Sequence, residues 1–119
     1  MPEIGVDIIE IPRIEEAIER FGDRFMRRVY TSAEIERYRK RPSSLATRFA
    51  AKEAIMKVLG TGMRGVSWKD IEILSAPSGK PEVHLYGRAA ERCATLGLTT
   101  ITVSLSDSKE HAVAVALGS

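Results

Sequence analysis

Two hydrophobic periods alternate along this chain, and together they predict an α+β domain in which an antiparallel sheet has helices to one side. Residues 4–9, 100–105 and 111–117 place apolar side chains at every second position, as strands do. Residues 14–21 and 44–59 repeat theirs at helical spacing. The length of 119 residues is that of one compact domain, spanning 1–119. A chain of that size buries roughly two thirds of the surface it exposes when unfolded, so a core forms without staples.

The elements follow in order. In the first strand Ile4, Val6 and Ile8 share one side, and Asp7 projects to the other in the company of Ile9. Pro12 suits a first helical position, and Gly22 is a natural stop after Phe21. A short helical piece covers residues 24–29. Thr31 and Glu34 match a capping box, so a further helix starts near Ser32. Pro42 breaks that pattern, and Ser43 or Ser44 caps a long helix over residues 44–59 that ends at Gly60. Residues 66–74 read as a strand containing Trp68, residues 76–81 as a turn cluster, and residues 82–86 as the return strand. Residues 87–96 are helical. The final two strands are joined by a hairpin at 106–110, and the last is apolar on both faces, which predicts an interior position.

Composition excludes several classes. At 44% hydrophobic and 29% charged the chain is ordinary for a globular protein, and nine Gly with five Pro are too few for low complexity. A single cysteine, Cys93, excludes an internal disulfide and a multi-cysteine metal cluster. Short, charge-broken apolar stretches predict no membrane span, and the N-terminus lacks the pattern of a secretory signal, so a cytoplasmic protein is expected. The net charge of +2 is too mild to argue for nucleic-acid binding. Its distribution is uneven. Residues 24–41 hold seven basic and two acidic side chains, a local +5 against −3 for the rest. That segment is either a solvated face or a docking patch for an acidic partner.

Gly60-Thr-Gly62-Met-Arg-Gly65 fits the dinucleotide fingerprint letter for letter but follows a helix and precedes a strand, the reverse of what that fold needs. The long helix is more informative. Leu45, Phe49, Ile55, Met56 and Leu59 form an apolar face, beside which runs a stripe of Ala46, Ala50, Glu53 and Lys57. Glu53 and Lys57 are either a surface pair one turn apart or two groups approaching a ligand over a clearing of alanines. Lys52 falls nearer the apolar face and must snorkel or find a buried partner. Asp7 is either on a solvent-facing edge or aimed at a pocket. Asp7 and Glu53 facing one pocket, with water and phosphate oxygens completing an octahedron, would suit Mg²⁺. His84 and His111 lack metal spacing, and Cys93 reads as a packed thiol.

Three blocks in register resemble the small, bacterial-type holo-acyl-carrier-protein synthases, a class of phosphopantetheinyl transferase. They are Gly5-Val-Asp-Ile-Ile-Glu-Ile11 with Arg13-Ile14, then Arg48-Phe-Ala-Ala-Lys-Glu-Ala54 with Lys57 and Gly60-Thr-Gly62, then Val103-Ser-Leu-Ser-Asp107 with Ala112-Val-Ala114. The resemblance spans essentially the whole chain. It implies Mg²⁺-dependent transfer of phosphopantetheine from coenzyme A to a serine of apo acyl carrier protein, releasing adenosine bisphosphate, in support of fatty acid biosynthesis. It implies Asp7, Glu53 and Lys57 as catalytic residues, the two carboxylates being the metal ligands. It implies Arg48, Lys57, Gly62 and Ser104 as coenzyme A contacts, and a homotrimer with sites at subunit interfaces. Carrier proteins of this kind are acidic, which gives Arg13, Arg20, Arg24, Arg27 and Arg28 a docking role. No histidine matches a base position, leaving a water or one of the carboxylates for the hydroxyl proton. One departure stands out: the family often has His where this chain has Asp107, and an Asp would repel a coenzyme A phosphate there, so a Lys or Arg from elsewhere must hold it.

Two other classes compete on sequence grounds. A non-catalytic adaptor using the Arg-rich segment would tolerate loss of Asp7 and Glu53. A weak nucleic-acid binder would lose affinity steeply with salt and depend little on either carboxylate.

Overall fold

A computed structural model of the chain describes residues 2–62 and 64–119. In chain order the elements are β1 (Glu3–Glu10), α1 (Ile11–Phe21), α2 (Asp23–Val29), α3 (Ser32–Tyr38), α4 (Pro42–Leu59), β2 (Ile71–Ser75), β3 (Pro81–Leu85), α5 (Gly87–Thr95), β4 (Ile101–Asp107) and β5 (His111–Gly118). The strands form two antiparallel sheets, β1-β5-β4 and β2-β3, instead of the single sheet expected. No helix among the described residues is long and apolar enough to cross a membrane.

α4 is the axis of the molecule, lying across the three-stranded sheet and against β2. Where one apolar face is expected, burial runs nearly all round it, taking in Thr47, Arg48 and Lys52 as well as its alanines and leucines. It begins two residues earlier than the sequence suggests. Pro42 opens it, because proline lacks the N–H that a first-turn residue leaves unpaired anyway, and no side chain caps it.

Small residues bring α4 down onto the sheet. Ala50, Ala54, Ala114 and Ala116 are all fully buried in one core cluster. A Cβ at Gly5 would lie 2.2 Å from the Ala54 carbonyl oxygen, so only glycine permits this approach. The alanines are therefore packing surface and not the ligand clearing that the stripe suggested. A second cluster joins α1, α2 and α3 to the first half of α4 through Ile14, Met26, Val29, Tyr30, Tyr38 and Leu45.

The sheet settles which side of β1 is covered. Gly5, Asp7 and Ile9 turn toward α4, while Ile4, Val6 and Ile8 lie outward and are 71%, 54% and 64% exposed. β5 is central, yet only its alanine side is covered; Val115 and Leu117 extend the outward apolar face. The segment read as a strand from residue 66 starts pairing only at Ile71. Before it, Ser67 and Asp70 cap a 3₁₀ turn at Trp68–Asp70, Ser67 Oγ accepting from the Lys69 N–H and Asp70 Oδ2 from the Ser67 N–H.

Candidate functional site

The close approach at Gly5 sets the site. Two residues further along β1 on the same side comes Asp7, and beside Ala54 on α4 comes Glu53, so the two carboxyls meet where strand and helix touch. Burial pushes Glu53 above the usual carboxylate range. The Asp7 charge and a hydrogen bond that the protonated Glu53 donates to the Asp7 carboxylate add to this, while Lys57 and Arg13 pull it back. Two carboxyls pressed together disfavour two negative charges, which a hard divalent cation relieves.

Lys57 does not form the helical pair with Glu53 that its spacing suggests. Its Nζ donates to the Val6 carbonyl at 2.8 Å and to Asp7 Oδ1 at 3.3 Å. Among the described residues no three His, Cys, Asp or Glu side chains converge as a metal cage. A cation on Asp7 and Glu53 would accordingly take its other ligands from water and a bound phosphate, as the hard oxygen chemistry of Mg²⁺ favours.

Lys52, next to Glu53 but turned about 100° away, finds the buried partner its position demands. Its Nζ lies 2.8 Å from Glu34 Oε1, and both side chains are fully buried. The Trp68 and Ile71 carbonyls also accept from Lys52. Glu34 in turn accepts from the Thr31 and Ile73 backbone N–H groups. The capping box forms as expected, and its glutamate also ties α3 to α4 and β2.

Arg48 sits elsewhere. Nine residues before Lys57, it projects from α4 about 180° away from it. Its guanidinium donates to the Tyr38 hydroxyl at 3.0 Å and the Ser75 hydroxyl at 2.8 Å. It lies 4.0 Å from the Tyr38 ring centre. Together with Ser104 and Asp107 it lines a polar cavity of about 500 Å³. Within one chain the predicted residues thus fall into two groups on opposite flanks of α4. Asp7, Glu53 and Lys57 form one, and Arg48 and Ser104 belong to the other. Gly62 lies in the loop after α4 at φ +54°, with open space around it; Met63, inside the same glycine motif, is outside the described residues.

The sequence reading missed Lys80, which with Asp107 lines the Arg48 cavity, from the β2–β3 turn. The Gly-Lys-Pro turn cluster was the available signal, since it presents a lysine at a rigid bend. His84 and His111 are exposed. Cys93 is a packed thiol, its Sγ 3.5 Å from the Leu98 carbonyl oxygen, and burial pushes it up.

The five arginines expected to dock a carrier lie on α1 and α2. Arg13 and Arg20 are seven apart on α1 and so lie about 20° from each other around it. Arg24, Arg27 and Arg28 continue from α2, and all five are exposed. Arg20 stacks over Phe21, itself 52% exposed. Arg13 acts on Glu53, so the α1 end of this set reaches the carboxyl pair.

Residues 3–116 match the model of the 4'-phosphopantetheinyl transferase superfamily, and the chain belongs to that family. Its relatives are more particular. A holo-[acyl-carrier-protein] synthase of Moorella thermoacetica is 51% identical over 120 residues, covering 98% of this chain and 93% of that protein. One of Koribacter versatilis is 46% identical, covering 92% and 91%. The holo-[acyl-carrier-protein] synthase of Helicobacter pylori, solved in complex with coenzyme A, superposes with a TM-score of 0.88 at 33% identity, covering 98% and 99%. That of Bacillus anthracis, solved in complex with CoA (3',5'-ADP), gives 0.79 at 35%, covering 98% and 94%.

Proposed function

We propose that this chain, acting as one domain over 1–119, transfers phosphopantetheine from coenzyme A to a serine of apo acyl carrier protein in support of fatty acid biosynthesis. The reading is supported most directly by the Asp7–Glu53 carboxyl pair beside the arginines of α1 and α2, in a chain whose relatives are holo-acyl-carrier-protein synthases. The serine oxygen bonds to phosphorus as the phosphorus–oxygen bond to the nucleotide breaks. The hydroxyl proton goes to solvent, and adenosine bisphosphate leaves. Mg²⁺ on Asp7 and Glu53 would supply positive charge to the pyrophosphate oxygens. Lys57 steadies the phosphates, and the arginines orient the acidic carrier so that its serine faces the carboxyl pair. The same reading carries a cytoplasmic location.

Arg48, Gly62 and Ser104 are proposed coenzyme A contacts, with Lys80 the cation that offsets Asp107. The two residue groups flank α4 on opposite sides, so one coenzyme A reaches both if it lies between subunits. The outward apolar face of Ile4, Val6, Ile8, Val115 and Leu117 supports that arrangement as a homotrimer. Light scattering on the purified protein should give three times the chain mass, and Val6→Lys should reduce it to the monomer. A wild-type monomer active at every concentration would sink the trimer.

The reaction is tested by incubating the protein with apo acyl carrier protein and coenzyme A, with and without Mg²⁺, and weighing the carrier. A phosphopantetheine adduct is expected with Mg²⁺ and absent without it, and Glu53→Ala should lower its rate more than roughly 100-fold. A folded protein that binds carriers but modifies none would make it an adaptor instead.

A further inference from the structure

We propose that Lys57 is a tethered counter-ion of the carboxyl pair: its ammonium holds Asp7 while no divalent cation is there, is displaced when one enters, and is thereby freed to meet the substrate's phosphate. The inference rests on the metal reading given above.

Three observations carry it. Lys57 reaches across from α4 to β1 and bonds Asp7 Oδ1, one of the two oxygens that Asp7 offers a cation, and it does so in preference to Glu53 one turn away on its own helix. Two positive groups on one carboxylate oxygen repel strongly, so ammonium and metal exclude each other there. The exchange is also mechanically easy. The Lys57 side chain is 56% exposed and Asp7 only 14%, so the lysine covers the aspartate from the solvent side and leaves by rotating its own stem, giving up the Val6 carbonyl as well as Asp7. No backbone has to move. Once released, the ammonium stands on the same helical stripe as Glu53, free to pair with a phosphate oxygen. Metal entry and phosphate capture are then parts of one event, and lysine and metal must weaken each other's hold on Asp7 equally.

The test is binding, not turnover. Mn²⁺, which is visible by electron paramagnetic resonance, is titrated into the metal-free protein without coenzyme A. Lys57→Met should tighten the Mn²⁺ Kd by roughly fivefold, the size expected for removing one partly exposed ion pair. Lys57→Arg, which keeps the charge, should stay close to the unsubstituted protein. Arg13→Met removes a positive charge that acts on Glu53 without bonding Asp7 and should tighten binding far less. Equal Kd values for Lys57→Met and the unsubstituted protein would overturn the inference alone, as would equal tightening by Lys57→Met and Arg13→Met. No Mn²⁺ uptake by any of the four proteins would overturn the metal reading, and the inference with it.

Discussion

Burial and the neighbouring Asp7 charge raise Glu53, so the folded, metal-free protein keeps this proton at pH values where the unfolded chain has lost its own. A carboxyl raised in this way stabilises the fold fully below the ordinary carboxylate range and loses that contribution as pH climbs through the raised value. Glu53→Gln, neutral at every pH, avoids the loss. In urea unfolding without metal, the variant should be more stable than the unsubstituted protein at neutral pH, with the gap closing in acid. A gap that stays constant with pH would mean that the charge is not what strains the site. The carboxyl pair itself was legible in the sequence, because aspartate is out of place in a strand and Glu53 stood in a stripe of alanines. The partner of Lys57 was not. Helical spacing offers Glu53, and only the register of β1 against α4 brings Asp7 closer. Lys52 shows the same limit: its need for a buried partner was plain, but Glu34, eighteen positions away, was visible only as a helix cap.

At the scale of elements, the placement of α4 decides the rest. Gly5→Ala should destabilise the protein by about 3 kcal/mol, since the new methyl meets backbone that cannot swing aside. Denaturant titration measures it, and a change under about 0.5 kcal/mol would mean that helix and sheet can part without cost. Lys52→Met should cost about 3–5 kcal/mol by leaving Glu34 buried without its cation. Chemical unfolding of the variant checks this, and wild-type stability would show that Glu34 is satisfied by its backbone donors alone. Helix and strand identities were largely legible because their periods are strong. Which face of β1 is inside was not, because period two marks two sides without saying which is covered. The apolar side of β1 is the exposed one, and the side bearing Gly5 and Asp7 is buried against a helix that needs the room. The strand expected from residue 66 failed for a local reason: Asp70 accepts from the Ser67 N–H and Ser67 from the Lys69 N–H, which curls the chain first.

For the molecule as a whole, the proposed landing surface for a carrier is the set of exposed arginines on α1 and α2. Reversing Arg24 and Arg28 to Glu should slow transfer to an acidic carrier and flatten the dependence of the rate on salt. Stopped-flow or discontinuous mass assays across ionic strength would show it, and unchanged rates at every salt would remove these arginines from docking. The single-domain α+β plan was readable from periodicity, whereas the division into two sheets depends on which strand edges meet, and no local pattern states that. The seam between α4 and the sheet has one more implication. Gly5, Ala50, Ala54, Ala114 and Ala116 are nearly the smallest side chains available, so almost any replacement there adds atoms and hardly any removes them. Random variation therefore mostly wedges the seam open, and these positions have little room to drift while the carboxyls stay together.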